Sequence, residues 1–114
     1  NRAYFGGAIY FLDLTQGSSN IRFTNCTMKN NTAKQGGFMY SWVGSYEFDD
    51  NIFSNNFAKQ RGGVIADLSG TASCANRNLN PYANINYGNI FDSNSAYLGG
   101  AIFSTNCAFK MNGN

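Results

Sequence analysis

The chain has no histidine, one proline and a single glutamate in 114 residues. Without histidine, and with no Cys-x-x-Cys pair among Cys26, Cys74 and Cys107, the sequence offers no zinc ligand set, and no cofactor is expected. Charged residues are 12% of the chain and the formal charge is +2, too small for a nucleic-acid or anionic-membrane footprint. No window reaches the ~20 apolar residues of a membrane span, so membrane insertion by this segment is not expected. The chain opens in mid-motif at Asn1, with neither initiator Met nor signal peptide, and reads as a segment of a longer polypeptide.

What is abundant is asparagine, with 18 residues, and glycine, with 13, beside Phe, Tyr and Ile. That is a strand and turn composition. The decisive feature is repetition. An Asn, a small residue and then Gly-Gly leading into apolar residues occurs four times: from Asn1 to Gly6-Gly7, Asn31 to Gly36-Gly37, Asn56 to Gly62-Gly63 and Asn94 to Gly99-Gly100. Repetition at roughly 20 to 40 residues per unit marks a solenoid whose units bury their apolar faces against each other. From Asn to Asn the coils run about 1–30, 31–55, 56–93 and 94–111. Unequal lengths exclude a regular hexapeptide helix. Helical repeats fit poorly, since each Gly costs about 1 kcal/mol in a helix interior.

The predicted fold is therefore all-β, a single-stranded parallel β-helix of about four coils over residues 1–114. Stacking at the ~4.8 Å strand spacing places equivalent residues above one another. Asn31, Asn56 and Asn94 would form a hydrogen-bonded ladder. The glycine pairs would supply positive φ, or room where a Cβ would collide, at a shared corner. Ala3, Ala33, Ala58 and Ala96 mark a tight bend. Met28, Phe53, Phe91 and Phe109, each three residues before an Asn, would stack inward. Which residues after Gly-Gly face the core stays open: parity favours Ala8, Tyr10 and Leu12 with their equivalents, yet Ile9, Met39, Ile65 and Ile102 are uniformly aliphatic. Arg61 adds one residue before its glycines, as a bulge would. Loops are expected at 13–20 and at about 69–84, on the outside, where solenoids carry specificity.

The pairing of Phe-x-x-Asn (Phe53 to Asn56, Phe91 to Asn94) with Gly-Gly-Ala-Ile (Gly6 to Ile9, Gly99 to Ile102) resembles the repeats of the chlamydial polymorphic outer-membrane proteins and of similar protist surface proteins. The resemblance covers nearly the whole chain apart from the loops. It implies a right-handed β-helix, extracellular or at the cell surface, serving adhesion or scaffolding.

The expected function is thus a non-catalytic structural or adhesive module with no active site. Its partners would be a carbohydrate or host-surface ligand, and its own end coils, through self-association into a filament or covalent continuation. The alternative is a β-helix carbohydrate-active enzyme, of polysaccharide lyase or hydrolase type, which needs carboxylates converging on one face. Asp49-Asp50 is the one adjacent acidic pair. It falls at a corner, where a turn role outweighs a calcium site. Asp67 reads as a surface acid paired with Arg61. An ice-binding face is disfavoured because Thr24, Thr27, Thr32 and Thr105 do not line up. Asn25-Cys26-Thr27 and Asn30-Asn31-Thr32 are glycosylation acceptors in form, Asn30 the less crowded. Cys26 and Cys107 look equivalent three rungs apart, roughly 14 Å, too far for a disulfide; Cys74 could reach Cys107 instead, and buried free thiols are the competing reading. Tyr4, Tyr46, Tyr82 and Tyr97 would be exposed, suited to stacking on sugar and equally to ordinary loop packing.

Overall fold

The computed structural model describes residues 1–12, 20–42, 45–68, 82–105 and 108–111. The first coil carries β1 (Arg2–Phe5), β2 (Ile9–Leu12), β3 (Asn20–Thr24) and β4 (Thr27–Lys29). The second carries β5 (Thr32–Gln35), β6 (Met39–Trp42), β7 (Ser45–Asp49) and β8 (Ile52–Ser54). The third has β9 (Phe57–Arg61), β10 (Ile65–Asp67), β11 (Tyr82–Ile85) and β12 (Ile90–Asp92). The fourth contributes β13 (Ser95–Leu98), β14 (Ile102–Ser104) and β15 (Ala108–Met111).

Each strand pairs in parallel with the strand one coil away, which makes the molecule a parallel β-helix. The first sheet is β1-β5-β9-β13, the second β2-β6-β10-β14, the third β3-β7-β11-β15 and the fourth β4-β8-β12. The strands of this third sheet, among them β3 and β7, recur in every coil.

Three left-handed corners bend each of the first three coils, and the first of them recurs in the fourth. The first is glycine: Gly6, Gly36, Gly62 and Gly99 have φ of 56°, 65°, 60° and 61°. They stand in one column, Gly7 N donating to Gly36 O and Gly37 N to Gly62 O. The other two corners use Asn25, Asp50 and Gly88, and Asn30, Asn55 and Ser93, all at positive φ. Asn and Asp tolerate this conformation better than other L-residues because they hydrogen-bond locally. The second glycine of each pair serves a different need. A Cβ on Gly37 would lie 1.9 Å from Gly63 O.

Apolar residues from all four sheets fill the interior. Tyr46, Phe48, Phe53, Met39, Ile65 and Ile85 are fully buried, and burial of such a side chain stabilises by about 1.5–3 kcal/mol. Phe53 and Phe91 stack with centroids 4.8 Å apart and 12° between planes. Met28 lies in register with Phe53.

Phe109 does not join that stack. β15 pairs with β11, setting Phe109 beside Ala83 in the third sheet rather than beside Phe91 in the fourth. Cys107-Ala108-Phe109 mimics Cys26-Thr27-Met28 in sequence, but the pairing of strands assigns it a different side of the coil.

The open question of parity has a structural answer. Ile9, Met39, Ile65 and Ile102 are in register and pack into the core, while Tyr10, Leu12 and Trp42 are exposed. Phe38 and Val64, one residue earlier, are buried as well. After the glycine corner, Phe38 N and Met39 N both donate to Val64 O. The backbone kinks there, so alternation starts one residue late, and Tyr40 and Ala66 of the other set are buried as well.

Candidate functional site

Two interior ladders account for most of the recurring asparagines. Asn31 Nδ2 donates to Asn56 Oδ1 at 2.9 Å, and Asn56 Nδ2 to Asn94 Oδ1 at 3.0 Å. The same oxygens accept from the Asn31 and Asn56 backbone amides, and Asn56 Nδ2 also reaches Met28 O. Asn1 extends the column, donating to Asn31 Oδ1 at 3.2 Å. The second ladder escaped the sequence reading: Asn51 Nδ2 donates to Asn89 Oδ1 at 3.1 Å, and Cys26 N to Asn51 Oδ1 at 2.9 Å. Its signal was present in Asn51-Ile52-Phe53 and Asn89-Ile90-Phe91, each Asn following a left-handed residue.

Among the described acids, Glu47 and Asp49 share one partner. Arg22 donates to Asp49 at 2.9 Å and lies 3.7 Å from Glu47. Asp50 turns a left-handed corner, its Oδ1 1.9 Å from where a Cβ on Gly88 would be. Asp67 is not the expected surface acid. It is fully buried, because the late start of alternation turns it inward. Tyr46 Oη donates to it at 3.1 Å and Ser104 Oγ at 3.3 Å. Tyr46, expected to be exposed, is fully buried beside it. Burial raises the Tyr46 phenol well above its ordinary value, and the charge and hydrogen bond of Asp67 raise it further. Among the described residues no group of three His, Cys, Asp or Glu could hold a metal ion.

Asn25 and Asn30 are exposed corner residues at φ of 54° and 58°. Cys26 is a free, half-buried thiol. Cys74 and Cys107, proposed as a disulfide, lie outside the described residues, as does the side chain of Tyr82.

One outer surface brings exposed polar side chains together: the first sheet. Ala33 and Ala58 face inward and are buried, so the next residue in each strand points out. Up the solenoid these are Tyr4, Lys34, Lys59 and Tyr97, with Tyr4 57% and Tyr97 85% exposed. Lys34 Nζ donates to Tyr4 Oη at 2.5 Å and sits 4.6 Å from its ring centroid. The expected bulge lies between Ala58 and Arg61, where register shifts on both sides. It leaves Lys59 and Gln60 opposite Lys34. A groove of about 630 Å³ runs here, lined by Arg2, Tyr4, Thr32, Lys34, Lys59 and Gln60 with the alanines beneath. Arg61, at the end of β9, lies 5.2 Å from the Phe103 ring. The first sheet holds Arg2, Lys34, Lys59 and Arg61 and no acid. Net charge hid this segregation, since Glu47, Asp49, Asp67 and Asp92 sit on other sheets.

Residues 90–105 match the Chlamydia polymorphic membrane protein repeat. The matched stretch runs from β12 through the glycine corner to the end of β14, and holds both Phe91 to Asn94 and Gly99 to Ile102. That repeat belongs to a family of membrane proteins, in keeping with a place at the cell surface. No curated protein and no solved structure matches the chain.

Proposed function

We propose that this chain is a non-catalytic structural and adhesive module of an extracellular or cell-surface protein. The observation that carries the reading is how the repeated residues are used. Asn ladders, glycine corners and alanine columns all work inside the coil, which frees the outward positions to differ from coil to coil and meet a ligand. The carboxylates support the same view: Glu47 and Asp49 are tied to Arg22, and Asp67 is enclosed. Parallel coils also expose unpaired ladder groups at the ends of a stack, which favours joining to further coils or to another copy.

Beads coated with the folded chain should adhere to cultured host-type epithelial cells more than beads coated with heat-unfolded chain. Equal adhesion would count against the adhesive role. Filaments should appear by electron microscopy of the concentrated segment, and particles that stay monomeric would count against end-to-end stacking. Cleavage of an acidic polysaccharide that is abolished by Asp49→Asn or Asp67→Asn would instead establish an enzyme.

A further inference from the structure

We infer that the outer face of the first sheet binds a linear acidic polysaccharide with a carboxylate on each sugar, lying along the solenoid axis. The inference rests on the surface-module reading and names the ligand class of that module. Its basis is the column Tyr4, Lys34, Lys59, Tyr97, one outward residue per coil, with two cations between two exposed rings. Arg2 and Gln60 line the same groove.

Three features select the ligand. Charge comes first, since four cations and no acid on one sheet attract an anion. Spacing comes second. Parallel coils repeat at ~4.8 Å, close to the rise per sugar of an extended polysaccharide, so one sugar ring can lie over each coil with carboxylates within reach of Lys34 and Lys59. An extended acidic peptide presents same-face side chains at about 6.8 Å, twice the strand rise, and falls out of step. Shape comes third. Flat tyrosine rings at both ends offer stacking faces for pyranose rings, and Gln60 and Thr32 offer hydrogen bonds to hydroxyls. An anionic membrane would need a broader basic surface than this single column provides.

Titration of the folded 114-residue chain with polygalacturonate oligomers tests this, with neutral dextran, polyglutamate and phosphatidylserine–phosphatidylcholine vesicles as comparison probes. Binding should be selective for polygalacturonate and should weaken as salt rises. The double variant Lys34→Gln, Lys59→Gln should bind about tenfold more weakly, because neither glutamine can pair with a sugar carboxylate as the exposed ammonium groups do. Tyr97→Ala should weaken binding without altering its salt dependence. Circular dichroism should be unchanged, as these side chains are at the surface. No binding of polygalacturonate, undiminished binding by the double variant, or equal binding of polyglutamate or vesicles would overturn the inference. Bead adhesion that persists in the double variant would remove this ligand while leaving the module reading standing.

Discussion

Asn56 accepts hydrogen bonds from the backbone and side chain of Asn31 and donates to Met28 O and Asn94 Oδ1, all within the closed interior. Replacing it with Ala strands a buried amide and a carbonyl, each costing about 1–3 kcal/mol. Asn56→Ala should therefore destabilise by about 3 kcal/mol in urea denaturation, while Asn30→Gly, at an exposed left-handed corner, should change stability by only a few tenths of a kcal/mol. Tyr46 supplies a second test at this scale. Its phenol is raised in the folded state, so its stabilising contribution is full below the ordinary phenol value near 10. As pH climbs past that value the unfolded chain ionises first, and stability falls. Tyr46→Phe should flatten the alkaline limb of the stability–pH curve, although it lowers stability at neutral pH by leaving Asp67 short of a donor. The ladder asparagines were legible in the sequence because they recur in frame. Asp67 was not: its inward turn depends on a backbone kink three residues earlier that leaves no mark in polarity.

At the scale of the element, the glycine corner is the unit that repeats. Its second glycine is constrained by the coil above. A Cβ on Gly7, Gly37 or Gly63 would lie 2.0, 1.9 or 2.1 Å from the carbonyl of the next coil's glycine, whereas on Gly100 the nearest described atom is 3.8 Å away. Gly37→Ala should cost about 3 kcal/mol by backbone displacement, and Gly100→Ala in this chain well under 1 kcal/mol, as judged by the two thermal midpoints. The glycine and fourth-sheet elements could be read beforehand because each carries a motif. The third sheet could not. Ile21–Thr24, Tyr46–Phe48 and Tyr82–Ile85 share strand character but no signature residue, so their equivalence emerges from pairing. The same gap let Phe109 pass for a relative of Phe91. The lysine–tyrosine column was invisible for another reason: its members are unlike one another, and only the register set by the alanines aligns them.

Across the whole molecule, each coil packs on its immediate neighbours, so stability should behave as a sum of coils and interfaces. Removing residues 31–55 takes out one coil while joining Asn30 to Asn56, a junction equivalent to the existing Asn55 to Asn56. The shortened chain should keep its β spectrum, with a urea m-value lower by roughly a fifth, in proportion to the surface it no longer buries. The fold class was legible at this scale because a solenoid writes its architecture as repetition. The irregular lengths of the coils were absorbed by segments between β2 and β3 and between β10 and β11, which leave the four sheets in register.

Vertical registration of the glycine corner can be measured without reference to any other property, through scalar coupling across hydrogen bonds in an isotope-labelled sample. The expected couplings run from Gly7 N to the Gly36 carbonyl carbon and from Gly37 N to that of Gly62, matching donor–acceptor distances of 3.1 and 3.0 Å. Couplings from these amides to carbonyls within their own coil, or to none, would contradict the stacked β-helix.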